Sequence, residues 1–372
     1  MAFLSGYTKR KSITVDHTKV GSTLTYFPAL VSIVDDTDLG ASALSTGYDI
    51  RFTSSDGETL LDYERESFAI TEGACTAVFW VKIPSLSDTV DTVIYIYYGK
   101  ADAADGQNKT GTWDGNGAYN YKGVWHLSEN GSGAAGDYKD STVHGNHSIN
   151  TTGQPTRAAG KIAYGQQFDN TDDSISCGIG ASLNITGAAT VEAWVKFSHK
   201  STTQYIVSKR PWGLIILGTD IPAFQTKSVG DVTETDAVGT TLTEGNWYHL
   251  VGVYDPANNQ KVLYVNGSAG TPISKTDGAT PDNSSRYFLI GKSSISAVYS
   301  PSTIDEVRVS NVARPPGYAS TAYANQDSPA TFLTIGEEED KTAVFSVSAA
   351  FSADITTGTH PLTVTFTDLS TG

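Results

Sequence analysis

Cysteine is nearly missing from this 372-residue chain, which holds only Cys75 and Cys177. Two thiols so far apart exclude a disulfide framework and read as small buried hydrophobes. Methionine occurs once and no long stretch shows helical amphipathicity, so a helical bundle is excluded. No apolar run reaches the length of a membrane span, and Met1-Ala2-Phe3-Leu4 leads into polar sequence with no signal-peptide core. The expectation is a trimmed leader, or release without the usual secretion signal as virion proteins leave at lysis. Positive charge is scarce too: Lys+Arg number 25 against 40 Asp+Glu, a net charge of -15 that repels a phosphate backbone and excludes nucleic acid as a partner. Such a surface suits an extracellular, cell-surface or virion location and offers carboxylates to cations.

What is present points to an all-β protein. The 36 glycines and many Ser and Thr punctuate short alternating segments. The clearest is Glu244 to Gly267, EGNWYHLVGVYDPANNQKVLYVNG. Trp247, His249, Val251 and Val253 point one way, and Tyr248, Leu250 and Tyr254 the other. Pro256 to Asn259 break the run before Val262 to Val265 resume it, which predicts an antiparallel hairpin covered on both faces. Asn266-Gly267 offers a turn with both residues at positive φ, so a third strand should follow. Earlier, KSITVD, FPALVSIV, YDIRFTSSDG, LLDYERESF, ACTAVFWVKIP and DTVIYIYYG are six strand candidates within residues 1–112. They predict a first β-sandwich, followed by a 113–120 linker with Trp113 against the domain seam, a second sandwich over 121–336, an acidic linker at 337–342 and a partial module at 343–372.

The hairpin, with VWHLSENGSG, KDSTVHGNHS, YGQQFDNTDDSISCG, TVEAWVKF, YFLIGKS and IDEVRVSNVARP in order, resembles the laminin-G-like, concanavalin-A-like jelly rolls. The resemblance implies that the VWHLSE and IDEVRV strands are neighbours. It also implies a calcium ion held by Asp140 and Asp305 with loop carbonyls around Asn146, an oxygen shell suited to a hard cation. The competing readings are that Asp140 caps its own loop and that Asp305 pairs with Arg308 or a buried amide. Residues 1–112 resemble an uncharacterised extracellular β-domain family found before such jelly rolls in bacterial, archaeal and phage surface proteins, through Tyr7 to His17, Gly47 to Phe52, Leu61 to Glu64, Trp80 to Pro84 and Ile96 to Gly99. Thr357 to Ser370 resembles the opening of a PKD-type immunoglobulin-like domain, whose later strands do not follow. Half a sandwich leaves an open apolar face, so Val344 to Thr367 is expected to pack on a neighbouring subunit.

Asp62, Glu64 and Glu66 alternate along one strand and share a face. They could form a cation site or an acid/base pair, or a solvent-facing strand edge. His126, His144, His147 and His249 lack helical metal spacing and read as structural, and Asp169, Asp172 and Asp173 as turn formers. For glycan stacking, the loop-adjacent candidates are Tyr205, Arg210, Trp212 and Tyr299, while Trp194, Trp247 and Phe197 read as core. Seven Asn-x-Ser/Thr sequons, including Asn146, Asn184 and Asn266, permit glycosylation.

No Glu-x-Asp-x-Glu strand or close variant occurs between residues 121 and 336, there is no Gly-x-Ser-x-Gly or P-loop, and the adjacent Asp305 and Glu306 point to opposite strand faces. The expected function is therefore non-catalytic: a surface adhesion protein whose jelly roll binds a glycan or a partner protein. The alternative is a structural subunit of a virion fibre, surface filament or surface layer that self-associates through its C-terminal strands.

Overall fold

The computed structural model describes residues 3–113, 119–149, 153–210, 212–227, 235–275, 285–341 and 350–369. Two β-sandwiches account for most of them. In the first, a three-stranded sheet (Leu24–Asp36, Ala74–Leu86, Tyr63–Thr71) faces a second sheet that contains Lys9–Val15, Thr92–Tyr98 and Arg51–Thr53. Leu24–Asp36 and Ala74–Leu86 are buried along most of their length rather than alternately, because both their faces are covered.

The second sandwich is the jelly roll. Its larger sheet runs through Gln260–Val265, Trp247–Asp255, Ala189–Lys196, Thr303–Ser310, Tyr164–Gln167 and Thr156–Ala159. The smaller runs from Ile175–Ser176 through Leu289–Ile290, Gln204–Lys209, Trp212–Ile216 and Pro222–Gln225 to Ala237–Val238. The hairpin read from sequence is there: Trp247–Asp255 pairs with Gln260–Val265, Asn266 and Gly267 have φ of 50° and 75°, and Ser268–Ala269 follows as a short strand. Its two faces separate as the alternation requires. Leu250, Tyr254 and Leu263 join the main core, whereas Val251, Val253, Val262 and Tyr264 form a second cluster closed by Ala319. Tyr121–Trp125 pairs with Thr303–Ser310, so the first and last jelly-roll strands are neighbours. Cys75 and Cys177 are free and buried.

The end of the chain departs from the sequence reading. After Ser310 the chain leaves the jelly roll and forms a helix, Pro316–Asp327, against the first sandwich. There the Asn325 side chain accepts from the Leu30 amide at 2.7 Å and donates to the Leu30 carbonyl at 2.9 Å, taking the place of a strand partner. Gly21 and Gly317 let loop and helix meet, since a Cβ on Gly317 would lie 2.7 Å from the Ser22 amide nitrogen. Then Leu333–Asp340, read as jelly-roll end and acidic linker, pairs antiparallel with Lys9–Val15 and completes the first sandwich. The reason is charge complementarity across the register. Lys9 bonds Glu338 and Asp340 at 2.7 and 2.9 Å, and Arg10 bonds Glu339 at 2.6 Å. The jelly roll is thus inserted between the beginning and the end of the first sandwich.

The C-terminal segment forms a ribbon of Phe351–Ala353 and Phe366–Asp368. Residues 344–349 of the expected complementing segment lie outside the described residues.

Candidate functional site

The candidate calcium ligands are committed to protein donors. Asp140 is buried; its Oδ1 accepts from the amides of Val124 and Thr142 at 3.0 and 2.9 Å, and its Oδ2 accepts from the Asn146 amide at 2.7 Å and the Thr142 hydroxyl at 2.9 Å. Asp305 Oδ2 accepts from the amides of Lys161 and Ile162 at 2.8 and 2.9 Å, and Oδ1 from that of Glu306. Asn146 donates to the Lys122 carbonyl and the Ser182 hydroxyl, and its own carbonyl accepts from Trp125. Asp140 thus accepts four hydrogen bonds, one for each of its lone-pair sites, and Asp305 accepts three, so Asp140 has none left for a cation and the pair is a poor fit to a calcium shell. Arg308 pairs elsewhere, and the two aspartates act as loop caps. An excess of chelator at low salt is expected to leave the melting temperature unchanged, because only a ligand bound to the native state raises it.

The four glycan candidates do not form one platform. Trp212 is core: it is 3% exposed, its ring packs edge-on against Phe288, and Nε1 donates to the Ile185 carbonyl. Tyr205 and Tyr299 are half-buried, and the Tyr299 ring carries the Lys292 ammonium at 4.9 Å. The Arg210 amide donates to Ser294. Trp194 is core as expected, stacked on His249 at 5.0 Å.

The densest polar constellation is one that sequence reasoning did not assemble. Glu64 and Glu66 are not on a solvent-facing edge. They lie under Trp80 and Trp113 at the seam between the two sandwiches, converging with Glu306 on His126. His126 Nδ1 is 2.8 Å from Glu306 Oε1 and 3.6 Å from Glu66 Oε2, and Nε2 is 3.1 Å from Glu64 Oε2. Two bulges aim the carboxylates. Register slips at Glu66, between Arg65 and Ser67, and again on Thr303–Ser310, where Asp305 and Arg308 face Trp194 and Glu192. Glu306 there has φ 49°, and Leu127 beside His126 has φ 60°, backbone that side chains rarely adopt. Asp305 and Glu306 accordingly turn onto different partners.

Cations close the network. Arg308 donates to Glu306 at 2.6 Å and to Glu192 at 3.3 Å while lying 4.1 Å over the Trp80 ring, and Lys109 reaches Glu64 at 3.0 Å. Nearby, Arg314 sits 4.3 Å from each of the Tyr119, Tyr121 and Tyr318 rings. Burial alone would raise the Glu64 carboxyl, but His126 and Lys109 hold it down to about 2. Burial pushes Glu66 up to about 7, aided by the Glu306 charge. Burial opposes charge on His126, yet three carboxylates keep its pKa well above the usual imidazole value. Among the described residues, Glu66, His126 and Glu306 bring ligand atoms within 4.8 Å of one another, as do two more exposed sets, Asp16/His17/Asp91 and Asp169/Asp172/Asp173. The buried set is already satisfied by Trp80, Ser128, Glu64 and Arg308. It acts as an ionic fastener between the sandwiches.

Openings to solvent lie elsewhere. A cleft of about 480 Å³ separates Ala237–Val238 from the Gln260–Val265 and Ser268–Ala269 strands and is lined by Val238, Thr240, Tyr248, Asn266, Ser268 and Thr271, among others. A groove of about 340 Å³ holds Asp255, Gln260, Tyr264 and Pro315, and one of about 330 Å³ holds Lys122, Ser182, Thr186 and Asn311.

Residues 169–317 match the family described as the concanavalin A-like lectin/glucanases superfamily, and residues 46–124 match a domain of unknown function (DUF2341). No curated protein matches the chain. Among solved structures, it is similar to the binding domain of Paraclostridial mosquitocidal protein 1 (12% identity, TM-score 0.44, 55% of this chain and 52% of that chain covered). It is also similar to the botulinum neurotoxin serotype G binding domain (11%, 0.44, 55% and 50%) and to the serotype D ligand-binding domain solved with N-acetylneuraminic acid (13%, 0.41, 55% and 50%). The chain spans about half the length of these structures, and likeness at this level carries no statement about ligand or partner. The protein is all-β, a concanavalin A-like jelly roll set into a second β-sandwich that is similar, in part, to a family of unknown function.

Proposed function

We propose that the chain is a non-catalytic extracellular binding protein whose jelly roll takes a glycan or a partner protein. The observation that carries this reading is the match of residues 169–317 to a lectin-type superfamily, together with clefts that open on the same domain. That superfamily also includes glucanases. Hydrolysis of a glycosidic bond needs two carboxylates flanking it, and the three clefts described above hold at most one, Asp255. Glu64 and Glu66 are sealed beneath tryptophans at the seam, and Asp169, Asp172 and Asp173 line none of these clefts. The test is binding of the full chain to arrayed glycans and to immobilised surface proteins, beside a turnover assay on the glycans that bind. Retention without cleavage is expected, and cleavage would overturn the non-catalytic reading.

A second reading, a structural subunit of a fibre, filament or surface layer, draws on the C-terminal ribbon. Phe351 and Phe366 are 73% and 65% exposed and touch each other at 5.6 Å, on the segment that resembles the opening of a PKD-type domain. An exposed apolar two-stranded ribbon is a surface for another subunit. Light scattering and electron microscopy of the full chain beside one ending at Lys341 test it, with assembly of the full chain alone as the supporting result.

A further inference from the structure

We infer that the cleft between Ala237–Val238 and Ser268–Ala269 is a subsite for the uncharged end of a short glycan. The inference rests on the binding reading above and adds a place and a ligand class to it. The cleft forms where the edge strands of the two jelly-roll sheets approach, since Ala237–Val238 ends the smaller sheet and Ser268–Ala269 the larger. Its volume, about 480 Å³, lies in the range of small-ligand sites and suits a short saccharide rather than an extended chain.

Three features select the ligand. First, Tyr248 lines the cleft with an aromatic ring suited to the apolar side of a sugar, held in place by packing against the main core while its hydroxyl also accepts from the Thr243 amide at 2.9 Å. Second, the polar groups are amide and hydroxyl. Asn266 sits at φ 50°, its amide donating to the His249 carbonyl and its Oδ1 accepting from the His249 amide, both at 2.9 Å. What it can offer a ligand is therefore its NH2, beside the exposed hydroxyls of Thr240, Ser268 and Thr271. Third, none of the ten lining residues is Asp, Glu, Lys, Arg or His, although 17% of the chain is charged. An anionic sugar would find no cation there and would meet a molecule of net charge -15. A neutral saccharide loses nothing on either count.

The test is an array carrying glucose-, galactose- and mannose-terminated glycans beside sialylated and sulfated ones, probed with the full chain and with Tyr248→Ala, Tyr248→Phe and Ser268→Trp. Ser268 is exposed, so the tryptophan fills the cleft from its rim without disturbing the core, and an unchanged melting temperature confirms it. Binding of neutral glycans is expected, lost at least about tenfold in Tyr248→Ala and Ser268→Trp and kept in Tyr248→Phe, where the ring remains. Neutral binding that survives both disabling variants would overturn the cleft and leave the lectin reading standing. Preference for sialylated or sulfated glycans would overturn the ligand class. Failure of the full chain to bind any glycan, or any immobilised protein, would overturn the binding reading itself.

Discussion

Replacing Glu66 with Gln is expected to stabilise the protein at pH 8 and to leave it almost unchanged at pH 4.5. The Glu66 carboxyl is buried beside Glu306 and its pKa is pushed up from 4.5 to about 7. The folded state therefore holds this proton more tightly than the unfolded chain. Its contribution to stability is complete below about pH 4.5 and is lost as pH rises toward about 7, by about 3 kcal/mol at most. Gln keeps an oxygen for the Trp80 N–H, and the Ser128 hydroxyl can turn to accept from its NH2, so the variant imitates the protonated form at every pH. His126 works in the same direction: with its folded pKa raised, its contribution is complete below about pH 6.5 and fades above it. Glu64, depressed to about 2, contributes above about pH 4.5 and loses that contribution as pH falls. The seam should therefore be firmest near about pH 4.5 and loosen as pH moves away on either side. Denaturant midpoints at pH 4.5 and 8 for both proteins are the measurement. Equal destabilisation by Gln at the two values would mean that Glu66 is ionised throughout.

A chain ending at Phe332 is expected to lose the first sandwich while keeping the jelly roll. It lacks Leu333–Asp340, and with that strand go the Lys9 and Arg10 ion pairs and the hydrogen bond from the Tyr98 hydroxyl to Glu338. It also opens the edge of Lys9–Val15 to pairing with other chains. Exposed ion pairs are each worth only about 0–1 kcal/mol. The larger part is a whole strand with Leu333 buried in the core, a loss on the order of 5 kcal/mol or more, comparable with the entire stability of a domain. Calorimetry should resolve one transition for the parent and for a chain ending at Lys341, and a separate low-temperature or absent transition for the Phe332 chain. If all three melt alike, the closing strand is dispensable.

Local pattern carried most of the fold and little of the site. Strand period, the Asn266-Gly267 turn and the solitary cysteines are properties of neighbouring residues, so they could be read directly. The Pro316–Asp327 helix could not, because it buries Gly317, Tyr318, Thr321, Ala322 and Asn325 on several sides and shows no apolar stripe. Leu333–Asp340 looked like a linker because its partners, Lys9 to Lys11, lie at the other end of the chain. The basic run against the acidic run was the one available signal. Glu64 and Glu66 showed their shared face but not what covers it. Two bulges and an imidazole from another sandwich decide that, and a bulge leaves no period to detect. Trp212 was misplaced for a related reason, since its strand, one residue past a turn, is buried on both faces.

The insertion of the jelly roll also fixes an order of events during synthesis. Lys9 precedes its partner Asp340 by 331 residues. At ribosomal rates of roughly 5–20 residues per second, the first strand of the chain emerges some tens of seconds before the strand that covers it. In that interval the whole jelly roll leaves the ribosome and can fold on local contacts, presenting His126, Glu306 and Arg308 before the first sandwich can close. The Lys9–Val15 strand is thus made before the jelly roll but finished after it, and the basic Lys9-Arg10-Lys11 run, poor in apolar surface, keeps that waiting edge in water until its acidic partner arrives.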